Sequence, residues 1–108
     1  MSRFWILGLL GIALILVSDV GPAQERAEKI HVGYSAQAGA FAPIWITKEA
    51  GLFRKHGLDV NLVFIPGGPI AAAALMAGEV QVVAMAGPAI VTSNLAGSDL
   101  VMIGGIVN

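Results

Sequence analysis

The segment Leu58–Gly78, LDVNLVFIPGGPIAAAALMAG, decides the fold because it contains a strand, a short loop and a helix in direct succession. Leu58–Ile65 is an apolar run of the length expected for a strand. Pro66-Gly67-Gly68 forms the loop, and Pro69 begins an alanine-rich helix, because proline in a first helical turn loses no hydrogen bond. Gly78 is typical of a helix end.

The same order of strand, loop and helix occurs on both sides of this segment. The sequence predicts further strands at Ile30–Ser35, Val80–Met85 and Leu100–Val107, and helices that start at Pro43 and Pro88. Strands that alternate with helices form a parallel sheet with right-handed βαβ crossovers. The predicted fold class is therefore α/β.

The alanine-rich helix is predicted to pack through Ile70, Ala73, Ala74 and Ala77, and Met76 is predicted to fill the core. Trp45 is predicted to pack against the sheet. These assignments follow from helical spacing, in which residues three and four apart share one face.

The N-terminal segment has the three regions of a secretory signal peptide. Arg3 gives a positive start, Phe4–Val17 is uncharged and apolar, and Gly21-Pro22-Ala23 ends in a small residue. This apolar run has 14 residues, whereas a membrane-spanning helix needs about 20. We therefore predict a signal peptide at 1–23 and a mature chain from 24 to 108; an uncleaved N-terminal anchor is the alternative. Either form places the remainder outside the cytoplasm.

Composition excludes several kinds of site. The net charge is −1 and the chain has no cysteine, which argues against nucleic-acid binding, disulfides, thiolate metal sites and a cysteine nucleophile. The phosphate-binding patterns GxxxxGK[ST] and GxGxxG do not occur. Gly33–Gln37 is an incomplete GxSxG elbow, because Gln37 replaces the last glycine, and no histidine is paired with Ser35 to activate it. His31 is on the same strand and is predicted to be a packed or hydrogen-bonded strand residue. No catalytic residue, metal ligand or cofactor is predicted.

The loops after the strands are the predicted binding region. They are Ser35–Ala42, Pro66–Gly68 and Ala86–Gly87, and each leads into a helix. In an open parallel sheet these loops meet at one edge, where helix N-termini offer free N–H groups and partial positive charge. This arrangement suits a small anionic or polar molecule; ordinary βα turns are the alternative interpretation.

Four segments carry a resemblance to a known family: PIWITKEAGLF followed by GLDV, GGP before LMAGEV, AGP, and GSDL before IGG. The resemblance covers residues 30–108. They resemble the periplasmic substrate-binding proteins of ABC transporters for nitrate, sulfonate and taurine. That family includes a relative that makes the pyrimidine precursor of thiamine.

The resemblance implies part of lobe one of a type II periplasmic-binding-protein fold, with residues 24–108 as the truncated N-terminal part of a longer chain. It implies a periplasmic protein without a cofactor, monomeric at full length, that delivers a small molecule to a membrane permease. Carried over by position, the ligand-facing residues are Ser35, Ala36, Gln37, Phe41, Gly67, Gly68, Pro69, Gly87 and Pro88.

Two other functions stay open. The chain could be an enzyme like the thiamine-precursor synthase, although that group typically has a cysteine-rich iron site and this chain has no cysteine. It could also be a non-functional fragment without a ligand. The sequence does not name the ligand.

Overall fold

The structure is a computed structural model and describes residues 26–107. The predicted signal peptide at 1–23 lies outside the described residues. Within them, the elements in chain order are β1 (Glu28–Tyr34), a 3-10 turn (Gly39–Phe41), α1 (Ala42–Glu49), α2 (Leu52–Lys55), β2 (Leu58–Phe64), α3 (Gly68–Met76), β3 (Val82–Ala84) and α4 (Gly87–Leu95). No helix among these is long and apolar enough to cross a membrane.

The three strands form one parallel sheet in the order β2-β1-β3. Val32 on the central strand lies opposite Leu62 on one side and Val82 on the other. This confirms the predicted α/β class and the βαβ crossovers.

Helices lie on both faces of the sheet. Trp45 of α1 contacts Tyr34 on one face, as predicted for Trp45. On the opposite face, α3 forms a shallow cavity with Val63, Ile65 and Val80. The chain crosses from β1 to β2 over the first face and returns from β2 to β3 over the second, as right-handed crossovers require.

The core is small and consists mainly of valine and alanine: Val32, Val60, Ala71, Ala72, Ala74 and Val80. Helix α3 therefore packs through Ala71, Ala72 and Ala74. The predicted face was wrong in part, because Ile70 is 59% exposed and Ala73 and Ala77 are also exposed. Met76 is 55% exposed and does not fill the core.

The helix boundaries follow the proline and glycine pattern of the sequence. Pro43, Pro69 and Pro88 each lie in the first turn of a helix, where a proline needs no N–H partner. Gly78 follows α3 with a φ of 76°, a left-handed conformation that glycine adopts without steric cost.

The fourth predicted strand, Leu100–Val107, is not a strand in the structure. Asn94 near the end of α4 binds the backbone of Leu100 twice: its Oδ1 accepts from the Leu100 N–H (2.9 Å) and its Nδ2 donates to the Leu100 carbonyl (2.8 Å). Beyond this point the chain leaves the sheet, and Ile103 is 85% exposed. An apolar run forms a strand only where a partner strand accepts its backbone hydrogen bonds.

Candidate functional site

Ser35 joins the carboxyl ends of all three strands. Its N–H donates to the carbonyl of Ala84 at the end of β3 (3.1 Å), and its carbonyl accepts from the N–H of Gly67 in the loop after β2 (3.2 Å). The adjacent Tyr34 carbonyl accepts from the N–H of Ile65 (3.0 Å). Three backbone segments, at the ends of β1, β2 and β3, are thereby fixed around one residue.

This edge is also the point at which the chain reverses its direction across the sheet. β2 lies on one side of β1 and β3 on the other. In open α/β sheets, ligands bind in the crevice outside the carboxyl ends of the strands at such a reversal. The structure places Ser35 and Gly67 at this edge, together with the start of the loop after β3.

The predicted ligand-facing residues fall into three groups along this edge. Ser35 and Ala36 are half-buried and Gln37 is exposed, while Phe41 is half-buried and precedes α1. The remaining candidates surround the starts of α3 and α4: Gly67, Gly68, Pro69, Gly87 and Pro88. Their contact with a ligand stays a prediction.

Gly68 has a packing role that the sequence did not indicate. A Cβ atom at this position would lie 2.6 Å from the Cβ of Ala89 on α4, closer than side-chain carbons approach each other. The absence of a side chain thus lets the first turns of α3 and α4 approach. Substitution of Gly68 would disturb this packing, so it cannot test ligand binding by itself.

A groove of about 690 Å³ runs between α3 and α4. Its lining includes three of the candidates and is otherwise mostly small and apolar: Gly68, Pro69, Met76, Ala86, Pro88, Ala89, Thr92, Ser93, Ala96, Gly97 and Ser98. Two of its hydroxyls already have partners, since Thr92 donates to the Pro88 carbonyl and Ser98 to the Asn94 Oδ1. The groove follows the helix pair, whereas Ser35, Gln37 and Phe41 lie outside its lining.

An aromatic cluster at the same edge was missed by the sequence analysis. The ring of Tyr34 lies 5.5 Å from that of Trp45, nearly perpendicular at 83°, and 5.4 Å from that of Phe64, at 40°. Tyr34 and Phe64 are the last residues of β1 and β2 and lie opposite each other in the register. The available signal was two aromatic residues, each one position before the end of a predicted strand.

Charged side chains gather at the opposite edge, where strands begin and helices end. Arg54 near the end of α2 lies 4.0 Å from Asp59 at the start of β2, between the guanidinium Nη2 and the carboxylate Oδ1. The other charged residues of the described part follow the same distribution: Arg26, Glu28, Lys29, Lys48, Glu49, Lys55, Glu79 and Asp99. The loops at the carboxyl edge consist of uncharged residues.

His31 has a structural role in β1. Its Nδ1 accepts a hydrogen bond from Asn61 Nδ2 (3.1 Å), and its N–H donates to the side-chain oxygen of Gln81 (2.7 Å). This agrees with the prediction of a hydrogen-bonded strand residue. Within residues 26–107, histidine, aspartate and glutamate do not form any group of three that could hold a metal ion.

Comparison with known proteins gives one match. The model of the NMT1-like family matches residues 23–104, which is more than half of the chain. No curated protein and no solved structure gave a significant match.

Proposed function

The chain belongs to the NMT1-like family, and from this premise we propose that it is the substrate-binding part of an ABC importer. It binds a small anion or polar organic compound, of the kind represented by nitrate, sulfonates and taurine, and delivers it to a membrane permease. The proposed location is the periplasm. The segment 1–23 would direct export of the chain and then be cleaved.

The observation that carries this proposal is the connection of the three strand ends at Ser35, at the reversal point of the sheet. This is the position at which α/β proteins bind ligands. The neighbouring residues provide backbone N–H groups, the Ser35 hydroxyl and the Gln37 amide, which suit recognition of a polar group. The match to a family that generally consists of binding proteins supports the same reading.

In this proposal the described residues form one wall of the ligand site. The resemblance in the sequence is to two-lobed receptors, in which a second lobe closes over the ligand by a hinge motion. The ligand's polar end would meet the loops after β1 and β2, and the closed form would be the one that docks on the permease.

The test is a thermal-shift screen on the protein purified from the cell envelope, with nitrate, taurine and methanesulfonate as probes. A ligand that binds only the folded state stabilises it by about 2.7 kcal/mol at 100 times its Kd, which raises Tm by several degrees. We expect at least one probe to raise Tm.

A matched pair of variants ties the shift to the site. Gln37→Ala removes an exposed amide at the carboxyl edge, whereas Asn61→Ala removes an exposed amide on β2 away from it. We expect Gln37→Ala to weaken binding about fivefold to tenfold, the loss of one hydrogen bond, and Asn61→Ala to leave it unchanged. No shift with any probe, or equal effects of the two variants, would contradict the proposal.

A further inference from the structure

We infer that the ligand carries a planar apolar group that lies against the rings of Tyr34 and Phe64, which makes it an organic compound rather than an inorganic oxyanion. This inference rests on the proposed function and narrows its substrate class. It comes from three features of the carboxyl edge: the position of the two rings, the free surface of Phe64, and the uncharged loops around them.

The position of the rings places them beside the strand connection. Tyr34 directly precedes Ser35, and the Tyr34 carbonyl binds the N–H of Ile65, the residue that follows Phe64. Both side chains are on the same face of the sheet because their Cα atoms are partners in the parallel register. A ligand held by the loops at Ser35 and Gly67 is therefore next to this ring pair.

The packing of the rings leaves one of them available. Tyr34 is half-buried between Trp45 and Phe64, and these contacts hold its ring in place. Phe64 is 42% exposed although it ends a strand. The exposed part of Phe64 therefore lies beside a ring that is already held in place. Such an ordered aromatic pair favours stacking by another planar group, since little side-chain freedom is lost on binding.

The chemistry of the surrounding loops agrees with an organic ligand. Ser35–Ala42, Ile65–Gly67 and Met85–Ala86 contain only apolar residues, glycine, serine and glutamine. A bare oxyanion loses much hydration on burial and needs cations or many hydrogen bonds in exchange. A compound with one polar end and one planar apolar end fits both parts of this edge: the loop N–H groups and the ring pair.

The experiment compares two probes with the same polar group. Benzenesulfonate and methanesulfonate differ in the planar ring, so the ratio of their affinities measures the ring's contribution. We expect benzenesulfonate to bind about tenfold more tightly, as measured by calorimetry on the full-length protein. Trp45 lies 5.5 Å from Tyr34, so its fluorescence should change when benzenesulfonate binds and change less with methanesulfonate.

Two leucine variants locate the effect. Phe64→Leu keeps an apolar side chain at the carboxyl edge but removes the ring, and it should reduce the affinity ratio to about twofold or less. Phe53→Leu makes the same change on α2, in a cavity lined by Lys48, Glu49 and Asp59 near the opposite edge. This control should keep the tenfold ratio.

The outcomes separate the inference from the function on which it rests. Equal affinity for the two sulfonates would overturn the inference and leave the proposed function intact. A preference for benzenesulfonate that Phe64→Leu retains, or that Phe53→Leu also loses, would overturn the location. If neither sulfonate binds, the inference fails, and the nitrate and taurine results decide the proposed function.

Discussion

At the scale of single residues, Gly68 lies so close to the neighbouring helix α4 that there is no room for a side chain. An added Cβ would lie 2.6 Å from the Cβ of Ala89. Alanine is normally better than glycine in a helix by about 0.5–1 kcal/mol, but overpacking costs about 1–3 kcal/mol. We expect Gly68→Ala to lower the free energy of unfolding by about 1 kcal/mol, measured by urea denaturation.

Gly39 provides the matched control for this substitution. It begins the 3-10 turn before α1, and an added Cβ there meets no atom within 4 Å. Gly39→Ala should therefore leave stability unchanged or raise it slightly, because it restricts the unfolded chain. Equal effects of the two substitutions would show that the α3–α4 contact is looser than the structure indicates.

Asn94 is a second residue with a measurable role, since it binds the backbone of Leu100 through both its side-chain atoms. Its Oδ1 also accepts from the Ser98 hydroxyl (2.7 Å). We expect Asn94→Ala to lower the free energy of unfolding by about 1–2 kcal/mol. Hydrogen exchange at the Leu100 amide should also become faster.

Asn94→Asp separates the two halves of this interaction. Aspartate keeps an oxygen that accepts from the Leu100 N–H but loses the donor to the Leu100 carbonyl. The Leu100 amide should then stay protected while stability falls by less than in Asn94→Ala. An unprotected amide in Asn94→Asp would mean that the donor, not the acceptor, holds this segment.

The sequence predicted residues of the site with uneven success, for a physical reason. Ser35 and Gly67 could be placed at the carboxyl edge because the strand-loop-helix order requires it. Tyr34 and Phe64 were assigned only to strands, because the contact between their rings depends on the register of β1 with β2. A parallel register is set by packing and is not visible in either strand alone.

At the scale of elements, β3 is stabilised by a side chain that extends its short ladder. The N–H of Gln81 donates to the His31 carbonyl (3.0 Å), and its side-chain oxygen accepts from the His31 N–H (2.7 Å). Gln81 lies just before β3, which has only three residues. Gln81 alone therefore makes both hydrogen bonds with the backbone of His31. In a regular strand pair these two bonds would come from two different residues.

Gln81→Leu should release the His31 amide. Because the site is exposed, water replaces part of the lost bond, and we expect a cost of about 0.5–1 kcal/mol. Amide exchange at His31 should become several times faster. Asn61→Ala is the control, since it removes the bond to the His31 ring and leaves both ladder bonds in place; the same acceleration in both variants would contradict this role of Gln81.

Elements bounded by proline and glycine were predicted well, and so were the three strands that form the sheet, but the last apolar run was not. α1, α3 and α4 start at their predicted prolines to within one residue. The apolar run Leu100–Val107 is not a strand. Its apolar composition could not show whether the sheet has a free edge strand with which the run could pair. Likewise α3 is apolar on every side, so its sequence could not show which face packs.

At the scale of the whole molecule, polar and apolar surfaces are separated along the strand direction. The charged side chains lie at the amino edge, the rings and uncharged loops at the carboxyl edge. After α4, three consecutive apolar residues are exposed: Val101 by 80%, Met102 by 68% and Ile103 by 85%. Contiguous apolar patches of this kind drive association, whereas single exposed apolar residues do not.

The last prediction compares two apolar side chains of equal exposure. Ile103 and Leu95 are both 85% exposed, but Leu95 lies on α4, whose backbone is already hydrogen-bonded, and Ile103 lies in a segment without regular secondary structure. Segments with free N–H and C=O groups can pair with another chain. The 108-residue chain should therefore self-associate as its concentration rises, measured by sedimentation velocity. Ile103→Lys should shift this association to higher concentration at least tenfold, and Leu95→Lys should not. Equal shifts would indicate that general surface charge, rather than the segment after α4, controls association.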